Sequence, residues 1–144
     1  FMIRIYEATE PSDLLAEAFA RLLPQLSERM TAPGREAVAR IVASPATRQL
    51  VAAAEDGRIV GLLSVALYDV PSGRKAWIED VVVDAAARGR GIGEALVREA
   101  LALARREGVA RMMLTSNATR RAAHRLYERM GFVRYETDCF RLDL

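Results

Sequence analysis

The sequence predicts a mixed α/β domain, and three observations predict it. Several short runs alternate apolar and polar residues with period two, other stretches place apolar residues every three to four positions, and the two kinds interleave along the chain. With 144 residues, about half apolar and just over a quarter charged, the chain suits one globular domain spanning 1–144. No apolar run approaches the roughly 18 residues of a membrane-spanning helix. No secretory-signal pattern opens the sequence, so a cytoplasmic protein without membrane association is the expectation.

Residues 2 to 7 alternate as a short half-buried strand does. Glu10-Pro11-Ser12-Asp13 marks a helix start, with Leu14, Leu15, Ala18, Phe19, Leu22 and Leu23 at helical spacing before Pro24. A second helix over about 33 to 43 ends near Ser44-Pro45, because the residue before proline resists helical geometry. An antiparallel meander follows: strands over 49 to 54, 59 to 68 and 76 to 83, joined by turns at Glu55-Asp56-Gly57-Arg58 and Pro71-Ser72-Gly73. Val81-Val82-Val83 is apolar on both faces, which places it centrally in the sheet. Helical periodicity returns from Ile92 to about Arg106, and Gly108 closes that helix. Residues 112 to 115 read as a short buried strand, and 119 to 130 as an amphipathic helix capped by Gly131. Residues 132 to 135 and 139 to 142 complete the pattern as two strands around a polar turn. The order is β-α-α-β-β-β-α-β-α-β-β: an α/β sheet of about seven strands, mostly antiparallel, with crossover helices toward the C-terminal half.

The net charge of +2 conceals an asymmetry: residues 1 to 87 hold 9 basic and 12 acidic side chains, residues 88 to 144 hold 12 and 7. An anionic ligand near the C-terminal half is favoured. Nucleic acid is not expected, for want of a recognition helix with clustered base-reading side chains or an aromatic stacking platform. Cys139 is the single cysteine, read as a small buried residue of the last strand. His124 is the single histidine, read as a polar helix-surface residue. Neither supports a metal centre, and no metal is expected.

The informative segment is Arg88-Gly89-Arg90-Gly91-Ile92-Gly93, between a strand and a long helix. Glycines at a helix start let main-chain N–H groups approach a ligand, and the helix dipole adds partial positive charge. That is an anion site, and a diphosphate fits it, with Arg88 and Arg90 adding charge from the same turn. A Walker loop needs a lysine at its end, whereas the only lysine is Lys75, upstream. A dinucleotide fingerprint needs a different glycine spacing and a downstream acid where this chain has Val109-Ala110-Arg111-Met112. Both fail.

Glu79-Asp80-Val81-Val82-Val83-Asp84 leading into this segment resembles the acetyl-CoA motif of the GNAT superfamily of N-acetyltransferases, Gln/Arg-x-x-Gly-x-Gly/Ala after a β-strand. Arg88, Gly91 and Gly93 fill the fixed positions. Residues 117 to 132, with Asn117, Ala123, Tyr127 and a closing Gly131-Phe132, look like that family's second motif. The specific part of the resemblance is about 77 to 132. It implies a GNAT-like fold with helices on both faces of the sheet, acetyl-CoA as cosubstrate and a primary amine, most simply a small molecule, as acceptor; a homodimer is compatible with it. The resemblance also implies that Val81, Val82 and Val83 pair with the pantetheine amides while the strand at 112 to 115 splays away. The N–H groups of Gly89, Arg90, Gly91, Ile92, Gly93 and Glu94 would hold the diphosphate. Asn117 and Ala123 would border the pantetheine, and Tyr127 would approach the sulfur.

Acetyl transfer needs a neutral amine, a polarised carbonyl and a stabilised leaving thiolate, without a covalent enzyme intermediate. Glu79 is the candidate base, directly or through water; Asp80 could serve instead, and either could simply attract an ammonium. On a regular strand Asp80 points to the opposite face, an alternation that a bulge would scramble. A main-chain N–H near Val81 or Val82 is the oxyanion donor expected. Tyr127 by its helix position reads as a core tyrosine, and the resemblance makes it the candidate partner of the leaving sulfur, by hydrogen bonding, since a phenol of pKa about 10 does not readily protonate a thiolate of pKa about 8.5. The acceptor pocket would be built from the first two helices and the 69 to 75 turn, which carry no motif. A noncatalytic CoA-binding sensor is the alternative.

Overall fold

Ser12 accepts the Leu15 N–H at 3.1 Å and so caps α1 (Asp13–Leu26) in the computed structural model, which describes residues 2–144. Pro24 does not end this helix. It sits in the last turn, where the ring removes one bond, and Ser27 N–H closes the helix on Leu23 O at 3.1 Å. α2 (Arg35–Ala43) stops short of Pro45, as the proline dictates.

The meander forms as the alternation predicts. β1 (Ile3–Ala8), β2 (Thr47–Ala54), β3 (Ile59–Val70) and β4 (Gly73–Val83) pair antiparallel in that order, and β5 (Met112–Met113) joins β4 in parallel. Ala54 N–H bonds to Arg58 O at 2.9 Å across the first turn, with Asp56 Oδ1 accepting the Arg58 N–H at 3.0 Å. Successive residues of the inner strands face opposite ways, so each supplies two cores. Val51 and Leu62 pack with Phe19, Leu22 and Val38 under α1 and α2. Leu50, Leu63 and Val65 pack on the other face, with Leu96, Val97, Ala100 and Leu103 of α3 (Ile92–Arg106). Gly61 sets the depth of α3: a Cβ there would lie 3.0 Å from Leu96 Cδ1 and 3.1 Å from Ile92 Cγ2. No helix among the described residues is long and apolar enough to cross a membrane.

Two ionic ties hold the layers in register. Arg48 of β2 donates twice to Glu7 of β1, at 2.7 and 2.8 Å, and once to Glu107 beyond α3, at 2.6 Å. Asp84, buried just after β4, accepts from Arg21 of α1 at 3.0 Å and from the Ala86 N–H at 3.1 Å. Burial alone would raise the Asp84 pKa, but the Ala86 N–H, Gln25 and then Arg21 and Arg58 outweigh it and hold it below the ordinary value. A depressed acid stabilises the fold above its unfolded pKa of about 4 and loses that contribution as pH falls through the folded value. Asp84→Ala should therefore lower stability by about 2–3 kcal/mol at neutral pH, read by urea unfolding, and the difference should shrink in acid.

The sheet has five strands among the described residues, not about seven. Residues 132 to 135 and 139 to 142 have the expected alternation but enter no ladder among the described residues, and the outer side of β5 stays unpaired. After Phe132 the main chain makes one local bond, Thr137 N–H to Tyr135 O at 3.1 Å. Val133, Tyr135, Phe140 and Leu142 are consequently exposed, and so is Cys139, expected to be buried. β5 is likewise shorter than 112 to 115, with Thr115 in solvent. α4 (Arg121–Arg129) is shorter than 119 to 130, because Asn117 Oδ1 takes the Thr119 N–H at 3.0 Å and makes a turn of those residues.

Candidate active site

β4 is regular as far as Glu79 and then is not. Ser64 of β3 faces Glu79 and Leu62 faces Val82, so Asp80 and Val81 together oppose the single residue Leu63. This is a β-bulge, and Asp80 within it takes φ 47°, a left-handed conformation in which aspartate is tolerated better than most side chains. On a regular strand Glu79 and Asp80 would point to opposite faces; with the bulge, both border the same two cavities.

On its other side, β4 is held by β5 only at Ala76↔Met112 and Trp77↔Met113. Past Trp77 the strands part, and a cleft of about 860 Å³ lies between residues 78–83 and 114–117. Asp80 and Val81 thus share Leu63 across β3 and have no partner residue on β5, so the cleft side of this stretch is unpaired.

The cleft reaches the start of α3. Gly89 and Gly91 have φ 79° and 76°, and Gly91 is the N-cap of α3, without a side-chain cap. Left-handed residues at this spacing turn successive N–H groups to one side, next to the unsatisfied donors of the first helical turn. A Cβ at Gly89 or Gly91 would meet nothing within 4 Å, so backbone conformation, not crowding, requires glycine there. At Gly93 the reason is crowding, because a Cβ would lie 3.3 Å from Leu126 Cδ2 of α4. Arg88 ties the loop to the strand end, its Nε donating to Val83 O at 3.2 Å. Arg88, Arg120, Arg121 and Arg129 all border the cleft, while Glu94 is paired to Arg98 at 3.2 Å.

Tyr127 is set by the end of α4. Gly131, at φ 97°, donates to Glu128 O at 3.1 Å and Phe132 N–H donates to Tyr127 O at 3.0 Å, a Schellman closure. The Phe132 ring meets the Tyr127 ring edge-on, centroids 5.7 Å apart. Burial raises the Tyr127 pKa, and Arg120 opposes that only in part. The phenol stays protonated at neutral pH. Glu79 is reachable by solvent, yet loss of hydration along the groove wall, followed by the Asp80 carboxylate, raises its pKa.

Of the residues singled out by sequence, Glu79, Val81, Val82, Val83, Arg88, Gly89, Gly91, Ile92, Gly93, Glu94, Asn117, Ala123 and Tyr127 border this one cleft. Arg90 is in the same turn but does not border it. Thr115, Ser116 and Thr119 also border it; Thr115 and Thr119 fall in the expected strand and second motif without a role assigned to them, and nothing in the sequence pointed to Ser116. His124, read as a surface residue, is half-buried, with its Nε2 enclosed and unpartnered.

A second cavity of about 480 Å³ opens on the α1–α2 side of the sheet, and Glu79 and Asp80 belong to its lining as well as to the cleft's. Its walls come from α1, the α1–α2 connection, α2 and β2–β4. The 69 to 75 turn, expected to contribute, does not border it.

The comparisons with known proteins agree with this geometry. The family model described as Acetyltransferase (GNAT) family matches residues 7–132. Glucosamine 6-phosphate N-acetyltransferase 1 of Oryza sativa subsp. japonica is 35% identical over 127 residues, 83% of this chain and 75% of that protein. Mycothiol acetyltransferase of Renibacterium salmoninarum is 33% identical over 91 residues, 62% of this chain, and the match spans only 27% of that longer relative. Among solved structures, a Trypanosoma brucei acetyltransferase has a TM-score of 0.80 at 30% identity, covering 99% of this chain and 100% of its own. An aminoglycoside acetyltransferase from an uncultured soil metagenomic sample, with a TM-score of 0.86 at 20% identity over 99% and 96% of the two chains, shares the fold. The strand that bulges beside a glycine-built helix start, the splayed neighbour and the matched family model lead to one conclusion: the chain belongs to the GNAT acetyltransferase family.

Proposed function

We propose that residues 1–144 form one catalytic unit that transfers an acetyl group from acetyl-CoA to a primary amine by direct attack in a ternary complex. The observation that carries this reading is the meeting of two cavities at Glu79 and Asp80, one ending on a main-chain anion site and the other opening from the opposite face of the sheet. The N–H groups from Gly89 to Glu94 suit a diphosphate, and the cleft arginines suit further phosphate charge. The unpaired stretch of β4 suits the amides of an extended pantetheine arm, which would bond to it as an added strand does.

In this reading Glu79 takes a proton from the ammonium, directly or through a water, and its raised pKa makes it a better base than an ordinary carboxylate. Nitrogen then bonds to the acyl carbon, its second proton passes to solvent water, and the carbon–sulfur bond breaks. The Val81 N–H, on the stretch of β4 that has no partner in β5, suits a donor to charge growing on the acyl oxygen. Tyr127 donates a hydrogen bond to the departing thiolate, which keeps the coenzyme's sulfur and is finally protonated from solvent.

Calorimetry with acetyl-CoA, together with thiol release on adding amines, tests the reading. Binding that is never followed by amine-dependent thiol would reject catalysis in favour of a sensor. Tyr127→Phe should cut turnover about 10- to 100-fold while acetyl-CoA affinity changes by less than about twofold, since the hydroxyl acts only as charge leaves. Equal turnover in single-turnover kinetics would take Tyr127 out of the mechanism.

A further inference from the structure

We propose that the second cavity accepts a primary amine carried on an apolar skeleton, an alkyl or arylalkyl amine, and disfavours phosphorylated and polyhydroxylated amino sugars. The proposal rests on the acetyl-transfer reading above and names the acceptor class for it.

Phe19, Leu23, Met30, Pro33, Ile41 and Leu62 give the cavity an apolar wall. The donors of Gln49 and Ser64 in its lining are already given to each other and to the main chain. Ser64 Oγ donates to Gln49 Oε1 at 2.7 Å, and Gln49 Nε2 donates to the carbonyls of Leu50 and Leu63 at 3.2 and 3.3 Å. That leaves Thr31 and Thr47 as the other neutral polar side chains of the lining, too few for the several hydroxyls of a sugar, and a buried hydroxyl without a partner is disfavoured. At about 480 Å³ the cavity matches a small organic molecule.

Charge decides against phosphate. No arginine or lysine lines this cavity, whereas two carboxylates, Glu79 and Asp80, stand where it meets the cleft. On the surrounding elements Arg21 is paired with Glu17 and Asp84, Arg35 with Asp13, and Arg48 with Glu7 and Glu107, while Arg29, Arg40 and Lys75 stand outside the cavity's lining. A phosphate drawn in would lose its hydration and face two like charges. An ammonium group would instead be pulled to those carboxylates, which puts the amine beside the base and its apolar remainder against the wall.

The closing experiment measures thiol release by the full chain with acetyl-CoA and four acceptors: phenethylamine, hexylamine, glucosamine and glucosamine 6-phosphate. Acetyl-CoA binding is followed separately by calorimetry. The proposal expects kcat/KM for the two apolar amines to exceed that for either sugar by at least about tenfold. It also expects Met30→Trp, which fills the cavity wall, to raise the phenethylamine KM about tenfold or more while acetyl-CoA affinity stays within about twofold. Preference for either sugar, or an unmoved KM in the Trp variant, would overturn the acceptor assignment and leave acetyl transfer standing. Binding of acetyl-CoA with no thiol from any amine would overturn the transfer reading beneath it.

Discussion

Gly91→Val is expected to weaken acetyl-CoA binding at least about 100-fold. The effect is large because residue 91 has φ 76° and caps α3 with its backbone. A β-branched side chain is a steric outlier in that region, so the loop must leave the left-handed conformation and its N–H groups must turn away from the cleft. Losing two charge-assisted hydrogen bonds at about 1.5–3 kcal/mol each accounts for that factor. Nothing lies within 4 Å of a Cβ at this position, so valine does not disrupt packing, and circular dichroism should show a folded protein. Gly91→Asn makes the comparison decisive. Asparagine tolerates the left-handed region, and this variant should keep most of the affinity. If calorimetry finds the two variants equally weak, the conformation of the loop is not what holds the coenzyme.

Glu79→Gln is expected to lower turnover about 100- to 1,000-fold at neutral pH, the usual contribution of a positioned base. Its pH profile is the more specific test. Lost hydration and the Asp80 carboxylate raise the Glu79 pKa, so the protonated and inactive form persists to higher pH than in an ordinary glutamate. The wild-type rate should therefore fall as pH is lowered through that raised value, and the Gln variant should lack the limb. Asp80→Asn removes the like charge and should move the limb to lower pH. An acidic limb left in place by Glu79→Gln would assign the proton to another group.

The parts of the fold that were legible in the sequence are those fixed by local chemistry. Ser12, the apolar spacing of α3 and the Gly131-Phe132 closure each act within a turn or two of chain, and their residues announce them. The conformation of the glycines at the start of α3 was legible for the same reason: a glycine at a left-handed helix cap depends on its own backbone. Pro24 misled, because a proline in the last turn of a helix forfeits a single bond that packing of Leu22 and Leu23 readily offsets. The two C-terminal strands misled for a different reason: alternation shows which residues could pair, not whether they do. The bulge at Asp80 was legible only as a possibility and the cavity behind it only as a contribution of the first two helices, since both arise from pairing between strands and packing between helices far apart in sequence.

The backbone at Asp80 has a consequence for anyone who sets out to make this protein hardier. A glycine there would adopt the same left-handed geometry with less strain, so a screen for heat tolerance would favour replacing the aspartate. The same exchange would strip one of two carboxylates from the junction of the cavities. Robustness and performance pull against each other at that residue, and a library built for durability should hold it constant.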